Sequence, residues 1–226
     1  MSKSSIGFSI AGSILCILFF ITVNLTVNSM AGVDTLWFIY PVFAVLWWPI
    51  SLFFYARCDR KGYSIISSAL IIIFLITVNI FTSPDHPWFL YAVYPVLWWP
   101  ITLISGERAK TLSFAWCGCI STILYYSALN ALISPGYPWA IYPAYAVLWW
   151  PISLYFARRK QFFSYSMIGS TITILFFICV NYISSPRSVW AVYPIFGVLW
   201  WPLSMYYFSY KKQKSGQGQL RRRIIF

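Results

Sequence analysis

Side chains able to do chemistry are scarce in this chain. The acids are Asp34, Asp59, Asp85 and Glu107, and the histidine is His86. None lies inside the long apolar runs, where proton relays, ion-coupled transport and intramembrane catalysis would need them. There is no His-Glu-x-x-His pattern, no Ser/His/Asp set and no Gly-rich phosphate loop. Five cysteines, Cys16, Cys58, Cys117, Cys119 and Cys179, form no Cys-x-x-Cys and recur at no matching positions. They read as reduced, small apolar residues rather than disulfide partners or metal ligands. His86 sits in a Ser-Pro-Asp-His-Pro turn, which suits a solvated turn residue or a pH sensor. The expectation is a non-enzymatic protein with no catalytic residues, no cofactor and no metal.

Two sets of residues remain, and both recur. Val-Leu-Trp-Trp-Pro appears four times, with pairs Trp47-Trp48, Trp98-Trp99, Trp149-Trp150 and Trp200-Trp201. Pro49, Pro100, Pro151 and Pro202 follow at a period of 51 residues. A fixed period means one unit copied in tandem. The second set is Asn24, Asn79, Asn130 and Asn181. Twelve residues before each is a small residue (Gly12, Ser67, Gly118, Gly169), followed by Ser13, Ser68, Cys119 or Ser170.

Each set has two readings. A tryptophan pair beginning ten residues inside an apolar segment lies about 15 Å in, near a bilayer midplane. Each proline kinks its helix and frees the carbonyl four residues earlier, at Val45, Val96, Val147 or Val198. An indole N–H can take that acceptor, which makes the step a packing device. Alternatively the pairs line a central space that holds a cation. The asparagines either close the last turn of their helices or converge as a polar collar.

The elements that carry these residues are apolar segments of about 20 residues, the length of a transmembrane helix. The chain is 60% hydrophobic and 9% charged, against about 25% charged in soluble domains. Eight helices are expected, at 6–26, 36–56, 63–82, 87–105, 112–132, 138–157, 163–183 and 189–209. The fold class is all-α: a polytopic membrane protein of four tandem, parallel two-helix hairpins. The hairpins span 1–57, 58–108, 109–160 and 161–210, with a basic, flexible tail at 211–226. Repeat 1 carries four extra residues before Trp37, about one helical turn, and with them Asn28. The first segment, GSILCILFFITVN, matches GSTITILFFICVN in repeat 4, so it is a working helix rather than a cleaved leader.

The net charge of +12 is confined to short clusters and gives no nucleic-acid groove. Arg57, Arg60, Lys61, Arg108, Lys110, Arg158, Arg159 and Lys160 lie between units, with Lys3 and the tail on the same side. Turns within units carry Arg187. This asymmetry puts both termini in the cytoplasm and Asp34, Asp85 and His86 outside. Expected partners are the bilayer, anionic lipid at the cytoplasmic face, and a membrane-protein partner or a second copy. A pseudo-fourfold or paired twofold axis would let each hairpin make the same contact with its neighbour.

The unit resembles the bacterial two-transmembrane hairpin called the 2TM domain. The matching residues are Val23-Asn24, Val78-Asn79 and Val180-Asn181, then Trp37-Phe38-Ile39-Tyr40-Pro41 and its copies. Repeat 3 departs with Leu129-Asn130, and Trp-Trp-Pro stands where that family has a Gly-Trp step. The resemblance implies a helical hairpin that accompanies sensor or regulatory domains in bacteria, and carries over no catalytic residue. Two functions are therefore open. One is a regulatory, immunity-type or accessory membrane subunit acting through packing or partners. The other is a transporter or channel with an aromatic-lined path along the repeat axis.

Overall fold

A computed structural model describes residues 3–32 and 35–208. Asp34 and the basic tail at 211–226 lie outside the described residues. Eight α-helices follow in order: α1 (Lys3–Ala31), α2 (Ile39–Arg57), α3 (Arg60–Thr82), α4 (Phe89–Ser105), α5 (Leu112–Ile133), α6 (Ile141–Arg159), α7 (Phe162–Ser184) and α8 (Val192–Tyr206). A 3-10 turn, Gly106–Lys110, joins α4 to α5. No strand occurs among the described residues.

The extra turn of repeat 1 extends α1 to Ala31, so Asn24 and Asn28 share a face. The even helices begin later than their outer tryptophans suggest. Trp88 is the N-cap residue of α4, and Phe38, Ala140 and Ala191 hold that place in α2, α6 and α8.

Six helical segments are long and apolar enough to cross a membrane: Ser4–Ala31, Ile39–Arg57, Arg60–Thr82, Phe89–Lys110, Leu112–Ile133 and Phe162–Ser184. The eight expected are thus met as helices, but α6 and α8 fall outside this set. α8 has 15 residues. α6 differs from α2 at Ala144, Tyr145, Tyr155, Ala157 and Arg158, and the tyrosines and the added arginine lower its hydropathy.

Cores usually bury large apolar residues. Here the completely or nearly buried residues include a set of small ones on the odd helices, mostly serines: Ser9, Ser13, Ser64, Ser67, Ser68, Ala115, Cys119, Ser166 and Ser170. They fall three and four residues apart on the odd helices, so they form one stripe. Large side chains face outward, including Leu15, Phe19, Ile73, Leu124, Leu175 and Phe196. This distribution is consistent with a membrane protein, in which helix contact comes from small residues and lipid takes the large ones.

By contact the chain divides between Ala109 and Lys110. In the first unit α1 packs on α2, α3 on α4, and α2 on α3. In the second, α5 packs on α6, α7 on α8, and α6 on α7. The connection between hairpins is alike in the two units. α2 ends on left-handed Cys58 (φ 53°) and α6 on left-handed Lys160 (φ 55°). Arg57 lies over the Phe53 ring at 4.0 Å and Arg159 over Tyr155 at 4.4 Å. Asp59 then caps α3, accepting from the Gly62 N–H at 2.8 Å. A Cβ at Gly62 would come within 2.2 Å of the Asp59 carboxylate and 2.7 Å of the Phe54 ring, so a side chain there would have to displace Asp59 or Phe54.

Candidate functional site: tryptophan steps and asparagine clamps

In α1 and α7 the small stripe is where tryptophans dock. A Cβ on Gly12 would lie 2.9 Å from the Trp48 ring. One on Gly169 would lie 2.7 Å from Trp201 and 2.9 Å from Trp149. The second tryptophan of each pair also meets an aromatic one turn earlier in an odd helix. The contacts are Phe8–Trp48 at 6.0 Å, Tyr63–Trp99 at 5.8 Å, Phe114–Trp150 at 6.0 Å and Tyr165–Trp201 at 5.4 Å. All four are edge-on, the arrangement the ring quadrupole favours, worth about 0.5–1.5 kcal/mol each beyond burial.

The first tryptophan of each pair stacks edge-on with the aromatic four residues before it in the same helix. These pairs are Phe43–Trp47, Tyr94–Trp98, Tyr145–Trp149 and Phe196–Trp200. In addition Trp47 reaches Tyr63, and Trp149 reaches Tyr165. Each unit therefore has one tyrosine wedged between two tryptophan steps. Its hydroxyl meets a serine of the preceding even helix: Tyr63 with Ser51 at 3.3 Å, and Tyr165 with Ser153 at 2.9 Å. Sequence reasoning did not single out these tyrosines. The available signal was the alternation Phe8, Tyr63, Phe114, Tyr165 at equivalent positions.

Pro49, Pro100, Pro151 and Pro202 lie inside α2, α4, α6 and α8, and Pro95 is also inside α4. The expectation that an indole takes the carbonyl freed by each proline needs correction at two places. Ser68 Oγ donates to the Val96 carbonyl at 3.2 Å, and Ser170 Oγ to that of Val198 at 3.4 Å. A serine hydroxyl reaches the freed carbonyl because the small stripe residues let the two helices cross closely there. At Ser13 the hydroxyl is buried and has no partner, and Cys119 occupies the corresponding place in α5.

The asparagines act on the turns. Asn79 Nδ2 donates to the carbonyls of Ser83 and His86 at 2.6 and 2.9 Å, while its Oδ1 accepts from the Phe89 N–H at 3.5 Å. Asn130 does the same with Ser134, Tyr137 and Ala140 at 2.6, 2.8 and 3.1 Å. Asn181 does so with Ser185, Ser188 and Ala191 at 3.0, 2.7 and 2.9 Å. One buried amide thus ties the end of an odd helix to the start of the next. The helix-closing reading is refined by this geometry. The residues past the helix ends are Ser83, Ser134 and Ser185, with φ between −139° and −156°, so no left-handed cap forms there.

Repeat 1 reaches the same end by another route. Asn24 and Asn28 both donate to the Thr35 carbonyl, at 2.8 and 2.6 Å. Thr35 Oγ1 returns a bond to Asn28 Oδ1 at 3.1 Å. Thr35 stands two residues before Trp37, as His86, Tyr137 and Ser188 stand before Trp88, Trp139 and Trp190. Just outside α6, the Tyr137 hydroxyl pairs with Tyr142 at 2.7 Å. That hydrogen bond, then loss of solvation, raises the Tyr137 pKa above its ordinary value.

Among the described residues no cluster of His, Cys, Asp or Glu could hold a metal ion. Three clefts among them are lined chiefly by loop and helix-end residues near Asn24, Ser51 and Asn130. What the fold and these contacts define is an all-helical chain of hairpins with six membrane-length apolar helices. No family model matches the chain, and no curated protein or solved structure matches it.

Proposed function

We propose that the chain is an eight-span integral membrane protein of four 2TM-like hairpins, with both termini cytoplasmic. It acts without catalysis, through helix packing and partner contact, as a regulatory, immunity-type or accessory subunit. One observation carries this reading: the recurring polar and aromatic groups are already engaged with one another. The asparagine amides close turns, and the tryptophans pack on small residues and rings within their own unit.

The count of eight follows from register. α6 repeats α2 apart from five residues, so a bilayer that accepts one accepts the other. α8 carries the same tryptophan step and outward-facing Phe196, Leu199 and Leu203. Orientation rests on the basic linkers. Single cysteines in the 57–62 linker and the 83–87 turn, in a cysteine-free background, should label from opposite sides of the membrane. Labelling of both from outside would reject the topology.

A second reading, a channel or transporter with an aromatic-lined path, draws on indoles that stay partly exposed. Trp48 is 43% exposed, Trp99 38% and Trp200 56%. Single Trp→Phe changes at 48, 99, 150 and 201 separate the two. Under the packing reading each lowers thermal stability. Intact stability with lost solute flux would reverse the preference.

A further inference from the structure

Where α2 turns into α3 the surface opens into a cleft of about 620 Å³. Its lining includes Ser51, Phe54, Asp59, Arg60 and Tyr63. The Phe54 and Tyr63 rings meet at 6.0 Å and 61°, forming an aromatic corner. The Ser51 and Tyr63 hydroxyls pair there at 3.3 Å. Asp59 uses Oδ1 for the Gly62 N–H, and its Oδ2 is the carboxylate oxygen left for a ligand. Arg60 follows directly. One anion and one cation thus stand side by side over an aromatic and hydroxyl lining.

The second unit lacks this set. Lys160, Gln161 and Phe162 stand where the first has Cys58, Asp59 and Arg60. Gln161 makes no side-chain cap bond. The connection keeps its backbone form but carries no carboxylate.

We infer that the cleft beside Asp59 and Arg60 is a headgroup site for a zwitterionic phospholipid of the phosphatidylethanolamine type. Such a headgroup carries one primary ammonium and one phosphate. The ammonium donates to Asp59 and lies against the aromatic corner. The phosphate takes the Arg60 guanidinium, whose planar fork suits it. A glycerol headgroup brings no cation and sets its phosphate charge beside Asp59. The site rests on the membrane reading above, because it needs the α2–α3 connection at the bilayer surface.

The test is native mass spectrometry of the full chain in detergent, titrated with phosphatidylethanolamine and phosphatidylglycerol of the same acyl chains. Asp59→Asn keeps a side chain that can cap α3 and removes the charge. It should weaken phosphatidylethanolamine binding about fivefold, the effect of one charge contact near a membrane surface, and leave phosphatidylglycerol unweakened. The pair Gln161→Asp and Phe162→Arg should create a second phosphatidylethanolamine site in the other unit. Equal affinity of the wild type for both lipids would overturn the inference, as would an unchanged preference in Asp59→Asn. Recovery of the chain in the soluble fraction after alkaline washing would instead overturn the membrane reading itself.

Discussion

The two units are built on one skeleton and differ at its centre. In the first, Phe43 stacks on Phe74 with ring centroids 4.0 Å apart and planes 15° apart. In the second, Tyr145 stacks on Phe176 at the same 4.0 Å and 15°. The added hydroxyl bonds Thr173 at 2.9 Å, where the first unit has Ile71. The stripe differs too. Ser67, buried with no partner for its hydroxyl, stands where the second unit has Gly169 beneath Trp149 and Trp201. In that unit the two indoles approach to 6.1 Å. The lesson is that aromatic stacking holds the geometry, while the polar decoration changes around it. A Phe/Ile pair and a bonded Tyr/Thr pair fill the same space because each is complete. Tyr145 without Thr173 would leave an orphan hydroxyl, whereas Thr173 also donates to the Gly169 carbonyl at 2.8 Å.

The comparison is broken most directly at the stripe. Gly169→Leu forces a side chain into two tryptophan rings and should cost about 3 kcal/mol, read as a lower melting temperature in detergent. The same change at Ser67 should cost less, because that place already holds a side chain. Equal losses would mean that the two stripes are crowded alike and that the contrast between Gly169 and Ser67 is wrong. Next come the clamps. Asn79→Ala strands two turn carbonyls and should cost about 2 kcal/mol. Asn24→Ala should cost less, because Asn28 still holds the Thr35 carbonyl. Proteolysis at the corresponding turns would register the difference.

A smaller effect tests the centre. Tyr145→Phe leaves Thr173 without its tyrosine partner and should cost about 1 kcal/mol. Adding Thr173→Ile rebuilds the first unit's pair and should recover most of it. A double-mutant cycle measures the coupling, and strict additivity would deny it. The smallest effect is at a turn. The Tyr137–Tyr142 bond raises the Tyr137 pKa. A group raised in the folded state stabilises below its unfolded pKa, about 10 for tyrosine. That contribution is lost as pH rises through the folded value. Tyr142→Phe should bring the Tyr137 titration, followed by ultraviolet absorbance, back toward the ordinary range. An unmoved titration would rule out the bond as its cause.

Much of the fold was legible because apolar length and a 51-residue period are properties of composition and spacing. The eight helices and the four turns could be placed that way, although the first helix, expected to end at residue 26, runs on through Asn28 to Ala31. The asparagines could be flagged, and their link to the helix ends stated. Their acceptors could not, since Ser83, His86, Tyr137 and Thr35 offer backbone carbonyls that leave no mark in residue type. The place of each tryptophan pair within its helix was legible, but not which ring meets which. Phe8 and Tyr63 share a register position, yet Tyr63 also reaches Trp47 of the preceding hairpin.

By itself, then, the sequence determined an all-helical, apolar chain with a repeated tryptophan–proline step and a repeated asparagine. These follow from periodicity and from the cost of burying unpaired backbone in an apolar medium. The tertiary structure alone decided what those residues touch. It set Ser68 and Ser170 on the carbonyls freed by proline, and Tyr63 and Tyr165 between tryptophan pairs. Such partners depend on helix crossing distance, which small residues set by letting backbones approach. A list of residue types carries no crossing distance.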